Sequence, residues 1–178
     1  MIININKDIN TNRTRLRKYE EKYKDNFAEL FTDKDVNQFM GGQHCETKED
    51  AYALFEKSFE IYNGLFPDRH FEIWAIEYEG KLIGHFELKQ TNNTTGDELE
   101  VVYLLDKDYW GRGLMPEILN EVNKYASGMG KQIIATVNLD NTKTMKALRK
   151  MNIEKEGWVE DEEGKVYKMW IEKLIIDN

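Results

Sequence analysis

Residues 99–117 read Leu-Glu-Val-Val-Tyr-Leu-Leu-Asp-Lys-Asp-Tyr-Trp-Gly-Arg-Gly-Leu-Met-Pro-Glu. Leu99 to Leu105 is a strand, nearly all apolar at its end. A short turn follows, and Gly111 and Gly113 open a run in which Leu114, Ile118, Leu119, Val122, Tyr125 and Ala126 recur at helical spacing. A helix that starts this way offers unpaired N–H groups and the positive end of its dipole, an anion site suited to a pyrophosphate. The two glycines let the backbone approach a ligand with no Cβ in the way. Arg112 can add a charge-assisted contact, and Pro116 falls in the first turn, where its missing N–H costs little. Alone, Gly-x-Gly marks an ordinary strand-to-helix turn equally well. No Gly-Lys-Ser/Thr follows, so it is not a Walker loop, and no third glycine completes a dinucleotide fingerprint.

The flanks supply the rest of the architecture. Upstream, Phe71 to Tyr78 and Lys81 to Lys89 are two strands joined by Glu79-Gly80, a hairpin. Gln90 to Gly96 is a polar loop. Downstream, Gln132 to Val137 is a β-branched strand, Asn141 to Met151 a short helix, and Ile153 to Glu160 and Lys165 to Ile175 a closing pair of strands around an acidic turn. Nearer the N-terminus, Thr14 to Tyr19 is a weak strand, 20–32 a helix, and Thr47 with Asp50 a capping-box-like start to a helix reaching about residue 63. Residues 1–12 are polar and Asn-rich and read as a loose leader to a single domain over 13–178. The fold class is mixed α/β with a strand–helix–strand crossover near the middle.

Composition narrows the function. The chain has 178 residues, one cysteine (Cys45) and a formal net charge of −8, with a pI near 5.1. That balance opposes broad contact with nucleic-acid phosphates and leans toward cationic partners. No apolar run is long enough for a membrane span, and no signal peptide is visible. With a single thiol no internal disulfide is available, so the cytoplasm is the expected compartment. His44-Cys45-Glu46 invites a metal reading, but adjacent ligands rarely share one tetrahedral ion; no metal site is expected. His85 reads equally as core or acceptor-side, and Trp74 as core.

Residues 99–117 closely resemble the acetyl-CoA-binding core of the GNAT superfamily of N-acetyltransferases, nearest the branch of ribosomal-protein N-terminal acetyltransferases. Glu100, Tyr103, Leu105, Tyr109, Trp110, Gly111, Gly113 and Glu117 match that branch in register, and Arg112 stands for its usual lysine. A second block, Asn141, Thr144 and Lys150, falls where the branch carries Asn-x-x-Ser and a helix-ending lysine. Thr14 to Arg17 and Leu30 to Gly42 fit its first strand and acceptor-side helices, so the resemblance covers about 13–174. Three departures stand out. Met115 replaces a small residue and would tighten the phosphate turn. Thr144 replaces serine. Asn152-Ile153 replaces Gly-Phe, although asparagine can adopt the left-handed conformation that stops a helix.

The resemblance implies a mostly antiparallel twisted sheet of six to seven strands with about four helices around a central β-α-β acetyl-CoA core. It implies transfer of an acetyl group from acetyl-CoA to a primary amine, either a protein N-terminus or a small cationic amine. The oligomeric state is not readable. The donor-binding residues it implies are Tyr103, Leu104, Leu105, Trp110, Gly111, Arg112, Gly113, Leu114, Met115, Asn141 and Thr144. Glu100 is the candidate base, with Glu98 on the same strand face as a rival. Backbone N–H groups near Tyr103 to Leu105 would hold the oxyanion. Many relatives carry a tyrosine seven residues after the asparagine to assist the departing thiol. Here that position is Leu148, which leaves Thr144 or water. The acceptor is expected to meet residues 33–70 and the 90–96 loop. The alternative is a CoA-binding or regulatory module of the same fold with weak or no catalysis, to which the missing tyrosine gives room.

Overall fold

The computed structural model describes residues 6–40, 44–161 and 164–177. Gly41 and Gly42 of the acceptor-side match, and Glu162 and Glu163 of the acidic turn, lie outside the described residues. The chain forms strands β1 (Ile9–Asn10) and β2 (Arg15–Arg17), helices α1 (Lys24–Thr32) and α2 (Lys48–Tyr62), and strands β3 (Phe71–Tyr78), β4 (Lys81–Lys89) and β5 (Glu98–Leu105). Then follow α3 (Leu114–Gly128), β6 (Gln132–Val137), α4 (Thr142–Leu148), β7 (Ile153–Asp161) and β8 (Gly164–Ile171). One eight-stranded sheet runs in the order β1-β2-β3-β4-β5-β6-β8-β7. Every neighbouring pair is antiparallel except β5 and β6, which are linked through α3.

Local chemistry sets these elements. The β3–β4 turn places Glu79 at φ 49° and Gly80 at φ 80°, the doubly left-handed turn that suits a twisted two-residue hairpin. At the start of α2 the Thr47 hydroxyl accepts from the Asp50 N–H while the Asp50 carboxylate accepts from the Thr47 N–H, the expected capping box. α3 buries Leu114, Ile118, Leu119, Val122 and Ala126, one helical stripe against the sheet. α4 ends at Leu148. Asn152 plays no left-handed stop, because among the described non-glycine residues only Asn6 and Glu79 have positive φ.

The sheet separates two cores. On one face Trp74, Phe86, Leu88, Leu99 and Ile133 pack with α3 and α4; on the other Ile73, Ala75 and Leu104 pack with the aromatic residues of α1 and α2. Trp74 is fully buried, as its sequence context predicts.

The leader is the main difference from expectation. Residues 6–12 are not loose: β1 pairs with β2, raising the strand count to eight. The Glu72 carboxylate, fully buried, accepts from the Asn6 N–H at 2.6 Å and from the Tyr125 hydroxyl at 2.8 Å. The Trp74 indole N–H donates to the Lys7 carbonyl at 2.9 Å. A carboxylate from β3 thus organises the segment's backbone, while Ile9 packs into the hydrophobic core.

Gly84 brings β4 close to β5. A Cβ there would lie 2.5 Å from the Leu104 carbonyl oxygen and 2.8 Å from Ile76 Cδ1. Gly84→Ala is expected to destabilise the protein by about 1–3 kcal/mol through this overpacking, read by urea denaturation; an unchanged midpoint would mean that β5 yields freely.

Candidate active site

The β5–β6 ladder holds only three pairs: Glu98 with Gln132, Leu99 with Ile133 and Glu100 with Ile134. β5 continues to Leu105 and β6 to Val137, but beyond Glu100 and Ile134 they no longer pair with each other. The backbone edges that face one another past this point lack a strand partner, so their polar groups are open to a ligand. The split opens into a cleft of about 1360 Å³ that reaches both faces of the sheet. Every residue nominated from the sequence lines it except Arg112 and the rival base Glu98.

At the vertex of the split lies Glu100, 5% exposed. Its carboxylate accepts from the Thr91 hydroxyl at 2.5 Å, the Thr136 hydroxyl at 2.5 Å and the Asn93 amide at 3.4–3.5 Å. Among the described residues no cation pairs with it. Lys89 lies opposite it across the β4–β5 ladder, but its ammonium is 2.5 Å from Glu87 Oε2 instead. Glu98 has another fate. It pairs with the buried Lys168 at 2.7 Å and accepts from the Trp170 indole N–H at 2.6 Å. Burial works to raise its carboxyl pKa, but Lys168, the Thr95 N–H and Trp170 outweigh this and hold it below the usual range. A carboxylate so committed is a weak base. Lys168 also donates to the Asn93 carbonyl at 2.6 Å, pinning the 91–96 loop that in turn holds Glu100.

His85, left open between core and acceptor side, is buried on the α1/α2 face. Its Nδ1 is 2.6 Å from the Tyr19 hydroxyl and its Nε2 2.9 Å from Glu87 Oε1. Burial works to raise the Glu87 carboxyl, yet His85 and Lys89 hold it at about 2.

On the opposite face the glycine turn meets the cleft. Gly113 caps α3 at φ 74°, and Gly111 has φ 73°. A Cβ at Gly111 would meet nothing within 4 Å, and one at Gly113 only Arg13 Nη2 at 3.6 Å. Open space therefore lies beside the glycine turn at the start of α3, and the turn fits a diphosphate. Met115 is buried in the core beneath α3 and does not narrow the turn. The Arg112 guanidinium donates to the Asp108 carbonyl at 2.9 Å and lies over the Tyr109 ring, away from the cleft. The cationic wall comes instead from α4 and the residues just after it: Lys143, Lys146, Arg149 and Lys150 line the cleft. Sequence reading singled out only Lys150 among them, as a family match, although Lys143, Lys146 and Lys150 repeat at i, i+3 and i+7, one helix face.

Trp110 closes the turn, its indole N–H donating to the Leu105 carbonyl at 2.8 Å and its ring carrying Lys143 Nζ at 3.5 Å. Asn141 Oδ1 accepts from the Thr144 N–H at 3.2 Å, which leaves the Nδ2 hydrogens and the second Oδ1 lone pair for a ligand. Thr144 lies beside Tyr103 on the α3/α4 face. The Tyr103 phenol is raised to about 12 by burial, against a smaller lowering by Thr144, yet the two hydroxyls do not meet hydrogen-bond geometry. Leu148, fully buried, supplies only apolar packing.

With this geometry in view, a family model for an acetyltransferase (GNAT) domain matches residues 13–154. The chain belongs to the GNAT acetyltransferase family. It is an N-acetyltransferase with acetyl-CoA as its acetyl donor. Solved structures share the fold of this acetyltransferase at low identity. RimJ from Mycobacterium smegmatis in complex with CoA-disulfide is 13% identical, with 96% of this chain and 90% of that chain covered and a TM-score of 0.76. The Salmonella typhimurium acetyl transferase that modifies the N-terminal serine of ribosomal protein L7/L12 is 14% identical over 95% and 100%, with a TM-score of 0.72. Spermidine N-acetyltransferase from Vibrio cholerae, in complex with CoA and spermine, is 18% identical over 90% and 96%, with a TM-score of 0.69.

Two measurements probe this arrangement. Gly113→Val is expected to weaken CoA binding at least about tenfold by calorimetry, because a branched residue resists positive φ and fills the space beside the turn; equal affinity would remove the turn from the binding site. Glu87, whose folded pKa is depressed, stabilises the fold fully above its unfolded value near ~4.3, and this is lost as pH falls through about 2. The melting-temperature gap between the native chain and Glu87→Gln should therefore close on acidification over that window, and a gap constant with pH would contradict it.

Proposed function

We propose that residues 13–178 form one catalytic domain that acetylates a primary amine by direct attack on the thioester, with Glu100 as the base. The observation that carries this is the Glu100 carboxylate, buried at the vertex of the split and held by three neutral donors, with no ion pair to it among the described residues. A carboxylate has about four lone-pair sites, so room remains for the proton of an incoming amine or of a bridging water. Thr91, Thr136 and Asn93 fix its orientation and leave its charge uncompensated, which favours a cationic acceptor at that point.

The α3/α4 face holds the donor. The Gly111–Gly113 turn and the start of α3 take the diphosphate, and the lysines of the 143–150 segment complement the phosphate charge. The Asn141 amide bonds the pantetheine arm, with Thr144 near its thiol end. Those backbone N–H groups between Tyr103 and Leu105 that point away from β4, toward the open edge, face the developing oxyanion, where fixed donors contribute most. The thioester supplies an activated carbonyl with a fair leaving group.

The acceptor enters from the α1/α2 face, past Val36, Phe39 and Met40 and the loop at Asn92 and Asn93, all of which line the cleft. An α-amino group, with a pKa near ~7.7–8.0, is partly neutral at physiological pH, whereas a lysine-like amine near ~10.4 relies more on the base. The similar proteins span both chemistries, one modifying a protein N-terminal serine and one named for spermidine. The reading therefore covers a peptide N-terminus or a small cationic amine. Among the described residues no helix is long and apolar enough to cross a membrane, and the single cysteine favours a cytoplasmic setting.

Thiol release from acetyl-CoA over a panel of N-terminal peptides, polyamines and aminoglycosides tests this reading; release with none of them would overturn it. Glu100→Gln is expected to lower kcat about 100-fold or more near neutral pH with acetyl-CoA affinity intact. The deficit should shrink at higher pH, where the amine loses its proton unaided. The fold should persist, because the Thr91 and Thr136 hydroxyls can rotate to accept from the new amide. An unchanged rate across the pH range would remove Glu100 from the mechanism.

A further inference from the structure

Among the described residues, few buried side-chain polar atoms lack a hydrogen-bond partner, and of these only the Tyr103 hydroxyl belongs to a residue that lines the cleft. Leaving a buried hydroxyl unpaired costs free energy in the resting protein, so a ligand atom that accepts from it is favoured. Alternation along β5 fixes which ligand that is. Glu98, Glu100 and Leu104 point to the α1/α2 face, while Leu99, Val101, Tyr103 and Leu105 point to the α3/α4 face. The glycine turn, Asn141 and Thr144 stand on that second face. Tyr103 is held there by stacking on Phe86, with ring centroids 5.8 Å apart and planes 12° from parallel.

We propose that the Tyr103 hydroxyl is a catalytic hydrogen-bond donor to the sulfur that leaves on the α3/α4 face, opposite the base on the same strand. The inference rests on the acetyltransferase reading of this cleft and deepens it. The bonds balance as follows. The amine lone pair forms the carbon–nitrogen bond, and the carbon–sulfur bond breaks with its pair passing to sulfur. The surplus proton of the amine goes to Glu100 and on to water. The Tyr103 proton stays on oxygen and is shared with the sulfur, which takes a proton from water as it departs. Burial, which holds the phenol at about 12, keeps Tyr103 a donor throughout the working pH range. Thr144, beside it, supplies a second hydroxyl to the same end of the cleft, and the apolar Leu148 adds none.

The test uses the full chain with CoA bearing its free thiol. The ultraviolet absorbance of the bound thiolate, followed against pH, reports whether a donor faces the sulfur. In the native chain the bound thiol should ionise at a pH about one unit lower than in Tyr103→Phe. CoA affinity, measured at a pH where the thiol is neutral, should agree within about twofold between the two. The kcat of Tyr103→Phe should fall about tenfold or more with KM for acetyl-CoA little changed. Removing an unpaired oxygen while keeping the ring on Phe86 should leave the melting temperature of the free protein equal or higher. Identical thiol titrations in the two chains would overturn the role of Tyr103 alone. Failure of CoA to bind the native chain would overturn the reading of the cleft, and this inference with it.

Discussion

The β5–β6 ladder stops after three pairs, and the site depends on that stop. A parallel pair that continued to Leu105 would satisfy every backbone group between the strands and leave no cleft. The stop is built in. β5 is committed to β4 from Glu100 to Leu105, and β6 to β8 from Ile134 to Val137. Each strand follows its outer neighbour as the sheet twists, and the inner edges separate. Gly84 lets β4 hold β5 at very short range along this stretch.

Charge is distributed along the same division. The chain is acidic overall, yet the α3/α4 side of the cleft is lined by lysines, and the α1/α2 side centres on Glu100, which makes no ion pair among the described residues. The other acidic groups near the vertex are paired locally, Glu98 with Lys168 and Glu87 with Lys89, while His85 hydrogen-bonds to Glu87. Net charge, the quantity most easily read from composition, describes neither half.

Much of this was legible in the sequence. Alternation and turn chemistry located the β3–β4 hairpin, β5 and β6, and helical spacing located α3. The glycine turn and the matches around it pointed to one cleft. What escaped depends on partners distant in sequence. The leader's Asn-rich composition masks Ile9, which packs into the core, and its backbone is held by Glu72, 66 residues away. Whether Glu98 or Glu100 is the better base turns on Lys168, which reads as one more charge in a polar strand until β8 places it beside β5. Arg112 was nominated by its position between two glycines, but its carbonyl partner at Asp108 turns it aside. The lysines of α4 carried a readable periodicity that attention to the asparagine and threonine passed over.

The bond from Lys168 to Glu98 has a mechanical side. Lys168 comes from β8, level with Thr136, and Glu98 from β5, so the pair reaches across β6 past the point where the strands part. It works like the rivet of a pair of tongs. Held there, the slot cannot be forced deeper. Whatever enters from either side meets one floor at a constant depth, so the two mouths can diversify without disturbing the chemistry between them.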